Sequence, residues 1–127
     1  MCFITFLKYE NSFSVFKGYR LISDQGYCKH SNGKYVVECL KSQARVLSAC
    51  EADCTASDSC IGFFFGGGYC ILIPSAQSCQ SSYLCTCPNG FSFKGGSSYS
   101  IVETTDDIVE YPLSDHWCYV KNEGINN

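Results

Sequence analysis

The chain has 127 residues, which is close to the usual size of one domain and too short for two well-buried cores. Cysteine accounts for 11 of them, a density that is rare in reducing cytosol, so the chain is expected to be secreted or held at the cell surface, where disulfides form. The net charge is −3 and the nine Lys and Arg are scattered, which argues against a nucleic-acid partner. The longest apolar stretch, 61–73, is short and broken by glycines, which argues against a membrane span.

Residues 1–18 are predicted to form an N-terminal arm that carries aromatic side chains without a clear period. Because the number of cysteines is odd, at least one thiol is unpaired or bridged to another chain, and Cys2 is the candidate. The domain itself is predicted over residues 19–121, followed by a C-terminal tail over 122–127. Near its start, the β-prone run 35–40 follows turn-rich stretches, which predicts strands joined by turns.

A short helix is predicted over residues 49–56. Ser48 and Glu51 have the spacing of a capping box, in which the serine hydroxyl accepts from an amide of the first turn and the glutamate reaches back. Cys50 and Cys54 are four residues apart and therefore share one helical face. A helix of about two turns is unstable alone in water, so tertiary contacts or disulfides must hold it in place.

The runs 60–65 and 69–73 flank three glycines and predict a β-hairpin. Strict alternation puts Phe64 and the cysteines of both strands on one face, which would look toward the helix, with Gly62 allowing a close approach. The other face is an apolar block and a possible interface, made of Ile61, Phe63, Phe65, Tyr69 and Ile71. Either the chain's own C-terminal segment or arm covers this block, or a partner subunit does.

The last third of the chain combines a loop with two predicted strands. Residues 75–100 are rich in Ser, Gly and Cys and predict a disulfide-tethered loop, while strands are predicted over 99–102 and 116–120. Between these strands lies an acidic cluster of Glu103, Asp106, Asp107 and Glu110. It lacks the spacing of an EF-hand, so it is expected to be a solvated loop and not a calcium site.

No catalytic or cofactor motif is found in the sequence. A nucleophile elbow and a phosphate-binding glycine loop are both missing, so the chain is predicted not to be an enzyme and to need no cofactor. No metal site is expected either, because Cys-x-x-Cys knuckles are absent and the only histidines are His30 and His116. Asp115 beside His116 does not indicate a dyad, since neighbouring residues on a strand point to opposite faces.

The cysteine spacing around the helix and the hairpin resembles the core of a PAN/apple-like domain. The resemblance lies in Leu47-Ser48-Ala49-Cys50, Cys54, Cys60-Ile61-Gly62-Phe63 and Tyr69-Cys70-Ile71-Leu72, and extends in outline over 19–121. In that family a helix with two cysteines is tied to a following hairpin, and an outer pair joins the domain ends. The resemblance implies an α+β fold, a small disulfide-rich antiparallel sheet packed on one short α-helix, with the pairs Cys50–Cys70, Cys54–Cys60 and Cys28–Cys118.

Four further cysteines depart from this pattern and are expected to pair among themselves: Cys39, Cys79, Cys85 and Cys87. The sequence leaves their three possible connectivities open. The stretch 85–91 is similar to the second half of an EGF-like module. The upstream cysteine spacing does not complete that module, and a helix with two cysteines has no place in it.

PAN/apple-like modules mediate protein–protein or protein–carbohydrate contacts outside cells. The resemblance therefore implies a non-enzymatic adhesion or recognition module with a protein or glycan ligand. An alternative is a self-assembling subunit of an extracellular filament or coat, which the aromatic arm, the apolar hairpin and the odd cysteine suggest. A third hypothesis is an accessory domain of a protease or other hydrolase whose catalytic residues lie outside residues 1–127.

Overall fold

Twelve β-strands and one α-helix make up the part of the chain that the computed structural model describes, residues 16–42 and 46–122. The helix, α1, spans Leu47–Thr55. The strands, in chain order, are β1 (Tyr19–Ser23), β2 (Gly26–His30), β3 (Tyr35–Val36), β4 (Glu38–Ser42), β5 (Cys60–Gly66), β6 (Tyr69–Pro74), β7 (Cys79–Ser81), β8 (Leu84–Cys85), β9 (Ser92–Lys94), β10 (Tyr99–Ser100), β11 (Ile108–Pro112) and β12 (His116–Lys121). The predicted α+β class, an antiparallel sheet packed on one short helix, is confirmed.

The main sheet has six strands in the order β1-β12-β5-β6-β4-β9, and every neighbouring pair is antiparallel. Its centre is the predicted hairpin, in which Gly67 and Gly68 join β5 to β6. Their φ angles are +60° and +85°, in the left-handed region that a two-residue hairpin turn needs and glycine adopts without steric cost. Because β12 lies between β1 and β5, the first and last strands of the domain are neighbours.

Three two-stranded pairs lie outside the main sheet: antiparallel β2–β11, parallel β3–β10 and antiparallel β7–β8. The predicted strand 35–40 is therefore divided between two sheets, since β3 pairs with β10 and β4 belongs to the main sheet. The division falls at Val37, a fully buried residue whose amide donates to the Ser100 carbonyl. The predicted strand over 99–102 is shorter than expected and ends at Ser100, with a single further bridge from Val102 to Ser75.

The helix is present, but its predicted capping box is wrong. It begins at Leu47, with Val46 as N-cap and no side-chain cap bond. The amides of Ala49 and Cys50 both donate to the Val46 carbonyl, so Ser48 already lies within the first turn and cannot act as the cap. As predicted, Cys50 and Cys54 are the helix's buried residues and face the sheet.

Five disulfides cross-link the described residues. They are Cys28–Cys118, Cys39–Cys87, Cys50–Cys70, Cys54–Cys60 and Cys79–Cys85. Two tie the helix to the central hairpin and one joins β2 to β12, and these three are the pairs that the PAN/apple resemblance implies. The other two select one of the connectivities that the sequence left open. Cys2 lies outside the described residues.

A β-bulge in β5 overturns the predicted faces of that strand beyond Gly62, whereas the residues of β6 lie on their predicted faces. Cys60 pairs with Pro74, but Gly62 pairs with Ile73, so one extra residue shifts the register at this point. Beyond the bulge, Phe63 packs with the helix cysteines, and Phe64 packs on the opposite face with Ile71. A Cβ at Gly62 would meet the Tyr119 carbonyl of β12 at 2.8 Å, so this glycine accommodates a neighbouring strand and not the helix.

The predicted interface block is consequently not a single exposed face. Phe63 is fully buried and Phe65 half-buried on the helix side, while Ile61 and Ile71 pack on the other side of the sheet. The chain covers that side itself, with an apolar cluster contributed by β2, β3 and the C-terminal segment: Cys28, Val36, Val102, Ile108 and Cys118. Of the five residues, Tyr69 alone is largely exposed, at 44%.

Candidate functional site: a tyrosine-lined groove

An open groove of about 510 Å³ lies between the turn of the central hairpin and the strands β2, β3 and β10. This size is usual for a small-molecule site. Its aromatic and titratable lining residues are Tyr27, Tyr35, Glu38, Phe64, Tyr69, Lys94, Tyr99 and His116. A second, slightly larger cavity of about 590 Å³ lies at the other end of the sheet. No aromatic side chain of the described ranges lines it, and its Lys121 amine already donates to the Ser57 carbonyl.

Tyr27 and Tyr35 meet because each occupies the outward position of a strand whose next residue is buried. Cys28 and Val36 turn into the core, so Tyr27 and Tyr35 turn toward the groove. The pairing of β3 with β10 sets Tyr99 beside Tyr35, with ring centroids 5.5 Å apart. Short, non-consecutive strands therefore bring distant residues to one surface.

The rings form a continuous row. Tyr27 stacks on Tyr35 at 6.5 Å with an interplanar angle of 19°, and its strand partner Tyr111 lies 5.0 Å away. The Lys29 ammonium lies over two of these rings, 4.7 Å from the centroid of Tyr35 and 4.2 Å from that of Tyr111. Such cation–π contacts hold these two rings in position and add positive charge beside the groove.

A half-buried carboxyl group, that of Glu38, lines the groove. Glu38 on β4 lies opposite Lys94 on β9 in the antiparallel register. Burial raises the pKa of Glu38 to about 7, and the charge of Lys94 offsets this effect only in part. Burial, together with the neighbouring Tyr35 and Tyr111, likewise raises the pKa of Tyr27 to about 12, so its hydroxyl keeps its proton at physiological pH.

His116 closes the groove at the hairpin turn. Its Nδ1 donates to the Ser114 carbonyl at 3.0 Å, which fixes the ring and leaves Nε2 toward Gly67. The ring lies so close to Gly66 that a Cβ there would overlap it. This packing explains why residue 66 is a glycine, while positive φ angles explain the glycines at 67 and 68.

The acidic cluster of the sequence does not form a ligand set. Three of its residues have partners of their own: Asp106 faces Arg20 at 3.5 Å, Asp107 accepts from the Thr104 amide at 3.3 Å, and Glu110 accepts from Ser23 at 2.6 Å. Within residues 16–42 and 46–122, no group of three or more His, Cys, Asp or Glu side chains could hold a metal ion.

Sequence reasoning identified only the rim of this site. Tyr69 and Ile71 were named as possible interface residues and line the groove, whereas Phe63 and Phe65 lie elsewhere and Ile61 lines the second cavity. Tyr27, Tyr35, Glu38, Lys94 and Tyr99 were missed. The alternation of tyrosine with buried Cys28 and Val36 was a usable signal for their outward orientation, but nothing local indicated that β3 meets β10.

Comparison of the chain with protein-family models, curated proteins and solved structures finds no match. What is established is a small disulfide-rich β-sheet domain with one short helix, without a family assignment. Its five disulfides indicate an oxidising environment such as the extracellular space. No helix in the described ranges is long and apolar enough to cross a membrane.

Proposed function

We propose that this chain is a non-enzymatic extracellular recognition module of PAN/apple type that binds carbohydrate in the tyrosine-lined groove. The observation that carries the proposal is the row of tyrosines around a half-buried carboxyl group in one open groove. The family part of the proposal is supported by the helix that two disulfides tie to the following hairpin, and by the outer pair Cys28–Cys118.

The chemistry of the groove suits a sugar. Tyrosine rings offer flat apolar faces for the C–H faces of a pyranose ring, and their hydroxyls offer hydrogen bonds at the rim. Tyr35 and Tyr69 are 40% and 44% exposed, so both present ring surface that a ligand can cover. Glu38, Lys94 and His116 add polar groups that could orient sugar hydroxyls.

The same groove gives no support for sugar hydrolysis. Glycosidases generally use two carboxyl groups about 5–10 Å apart on either side of the scissile bond. Among the described residues that line the groove, Glu38 is the only acid. A single carboxyl group whose pKa is near neutral fits a hydrogen-bonding role in binding.

Two exposed tyrosines provide a matched test. Tyr69→Ala removes a ring from the groove wall, and Tyr83→Ala removes a ring that is 66% exposed between β7 and β8, outside the groove. The oxidised protein is screened on a glycan array and its best oligosaccharides are titrated by calorimetry. Tyr69→Ala is expected to weaken binding at least about tenfold, or about 1.4 kcal/mol, and Tyr83→Ala to leave it unchanged. Equal effects of the two variants, or no binding to any glycan, would rule the proposal out.

Self-assembly is the second candidate function. It is favoured by three exposed side chains on one stretch of chain, Val109, Tyr111 and Leu113, at 39%, 44% and 45% exposure. Sedimentation velocity under oxidising conditions separates the two functions. A monomer at all concentrations supports a recognition module, whereas polymers that Tyr111→Ser dissolves support a structural subunit.

A further inference from the structure

The groove contains a pair of opposite charges whose arrangement bears on its ligand. Glu38 and Lys94 lie directly opposite each other on β4 and β9, and both line the groove. Glu38 is half-buried, while Lys94 is exposed and therefore accessible to a ligand. An anion that approaches Lys94 meets the repulsion of Glu38 only while Glu38 is ionised.

We infer that the ligand is an acidic saccharide, whose carboxylate or sulfate pairs with Lys94 while Glu38 takes up a proton from solvent. This inference rests on the proposed sugar-binding function and specifies its substrate class. The protein forms and breaks no covalent bond other than the O–H bond on Glu38. The tyrosine rings hold the sugar, and the charge pair selects for its acidic group.

The surrounding charges agree with this assignment. Among the residues that the structure describes, Glu38 is the only acidic side chain lining the groove; the other ionisable groups there are tyrosines, a lysine and a histidine: Tyr27 from β2, Tyr35 from β3, Tyr69 from β6, Lys94 from β9, Tyr99 from β10 and His116 from β12. Lys29 adds a further positive charge over the tyrosine row. Once Glu38 is protonated, Lys94 is the dominant charge, and an anionic sugar is the complementary ligand.

The proton uptake requires little free energy near neutral pH, because burial already raises the pKa of Glu38 to about 7. If the anion binds only the protonated form, the apparent affinity follows the protonated fraction of Glu38. That fraction changes about tenfold between pH 8 and pH 6. Binding is therefore expected to strengthen by up to about tenfold as the pH falls across this interval.

The test uses an array of matched pairs: sialylated and desialylated glycans, uronates and their methyl esters, and sulfated and unsulfated glycans. We expect the acidic member of a pair to bind at least about tenfold more tightly. Lys94→Gln should remove this preference and Lys94→Arg should retain it. Lys34→Gln changes an exposed lysine of the β2–β3 turn and serves as the control.

The pH dependence is tested separately with Glu38→Gln, which should bind the acidic glycan equally at pH 6 and pH 8. If the dependence persists in this variant, another group such as His116 causes it and the Glu38 mechanism is wrong. If neutral and acidic partners bind equally and Tyr69→Ala still weakens binding about tenfold, the acidic ligand is wrong and the sugar site stands. If the unmutated protein binds no glycan at all, both the proposed sugar-binding function and the acidic-saccharide inference are wrong. The near-ultraviolet circular dichroism of each variant verifies its fold.

Discussion

The outer disulfide, Cys28–Cys118, should contribute more to stability than a short one, Cys79–Cys85. Cys28 and Cys118 are 90 residues apart, but Cys39–Cys87 shortens the path between them to the segments 28–39 and 87–118, about 42 residues of chain. Loop-closure entropy for that length corresponds to about 4 kcal/mol, against about 2 kcal/mol for the six-residue separation of Cys79–Cys85. Both sulfurs of the outer pair are buried, so their removal also leaves a small void.

The measurement compares two double variants, Cys28→Ala/Cys118→Ala and Cys79→Ala/Cys85→Ala, by guanidinium unfolding at constant pH. Mass mapping first verifies that the four remaining pairs are oxidised. The outer-pair variant should lose about 2 kcal/mol more in free energy of unfolding than the control, and its m-value should rise because its denatured state is more expanded. Equal losses, or an unchanged m-value, would refute the argument from chain entropy.

Three further predictions concern single side chains. Gly66→Ala should lower the melting temperature of the domain because the new Cβ meets the ring of His116. Adding His116→Ala should recover part of this loss in thermal unfolding, and no recovery would contradict the packing of His116 on Gly66. Burial raises the pKa of Glu38 from 4.5 to about 7, so this group binds more protons in the native state than in the unfolded state between these values. The contribution of Glu38 to stability should therefore be fully present below about pH 4.5 and be lost, by no more than about 3 kcal/mol, as the pH rises through 7. Glu38→Gln should flatten that slope in urea titrations, and an unchanged slope would assign it to another group. Phe63→Ala should lower the free energy of unfolding by about 3–5 kcal/mol, because the ring is fully buried. Tyr83→Ala should lower it by less than about 0.5 kcal/mol in the same assay, and similar losses for the two variants would contradict the observed burial.

The sequence predicts those secondary-structure elements that are determined by residues close together in the chain. Cys50 and Cys54 indicate a helix face, the glycines at 66–68 indicate a hairpin turn, and the run 116–120 indicates a strand. Each depends on residues within one or two turns of each other, where periodicity and turn chemistry act directly. The start of the helix was wrong because Val46, and not Ser48, occupies the N-cap position.

Two features could not be predicted from the sequence: the direction of the β5 side chains beyond the bulge, and the set of residues that meet in the groove. A bulge at Ile61 reverses every side chain that follows, and its position is set by pairing with β6, not by the residues of β5 alone. The groove joins Tyr27 and Tyr35 to Tyr99, more than 60 residues further along the chain. Such a contact follows from the topology, which no local pattern specifies.

The cross-linked architecture also has a consequence for preparing the protein. A hairpin and a short helix can form around incorrectly matched sulfurs, so secondary structure by itself does not certify a correctly oxidised product. The tyrosine row needs strands from both halves of the chain in register, and the pair that joins Cys28 to Cys118 links those halves. Ligand capture by the groove, once a sugar is identified, would therefore serve as a quality assay that distinguishes the native isomer from shuffled ones.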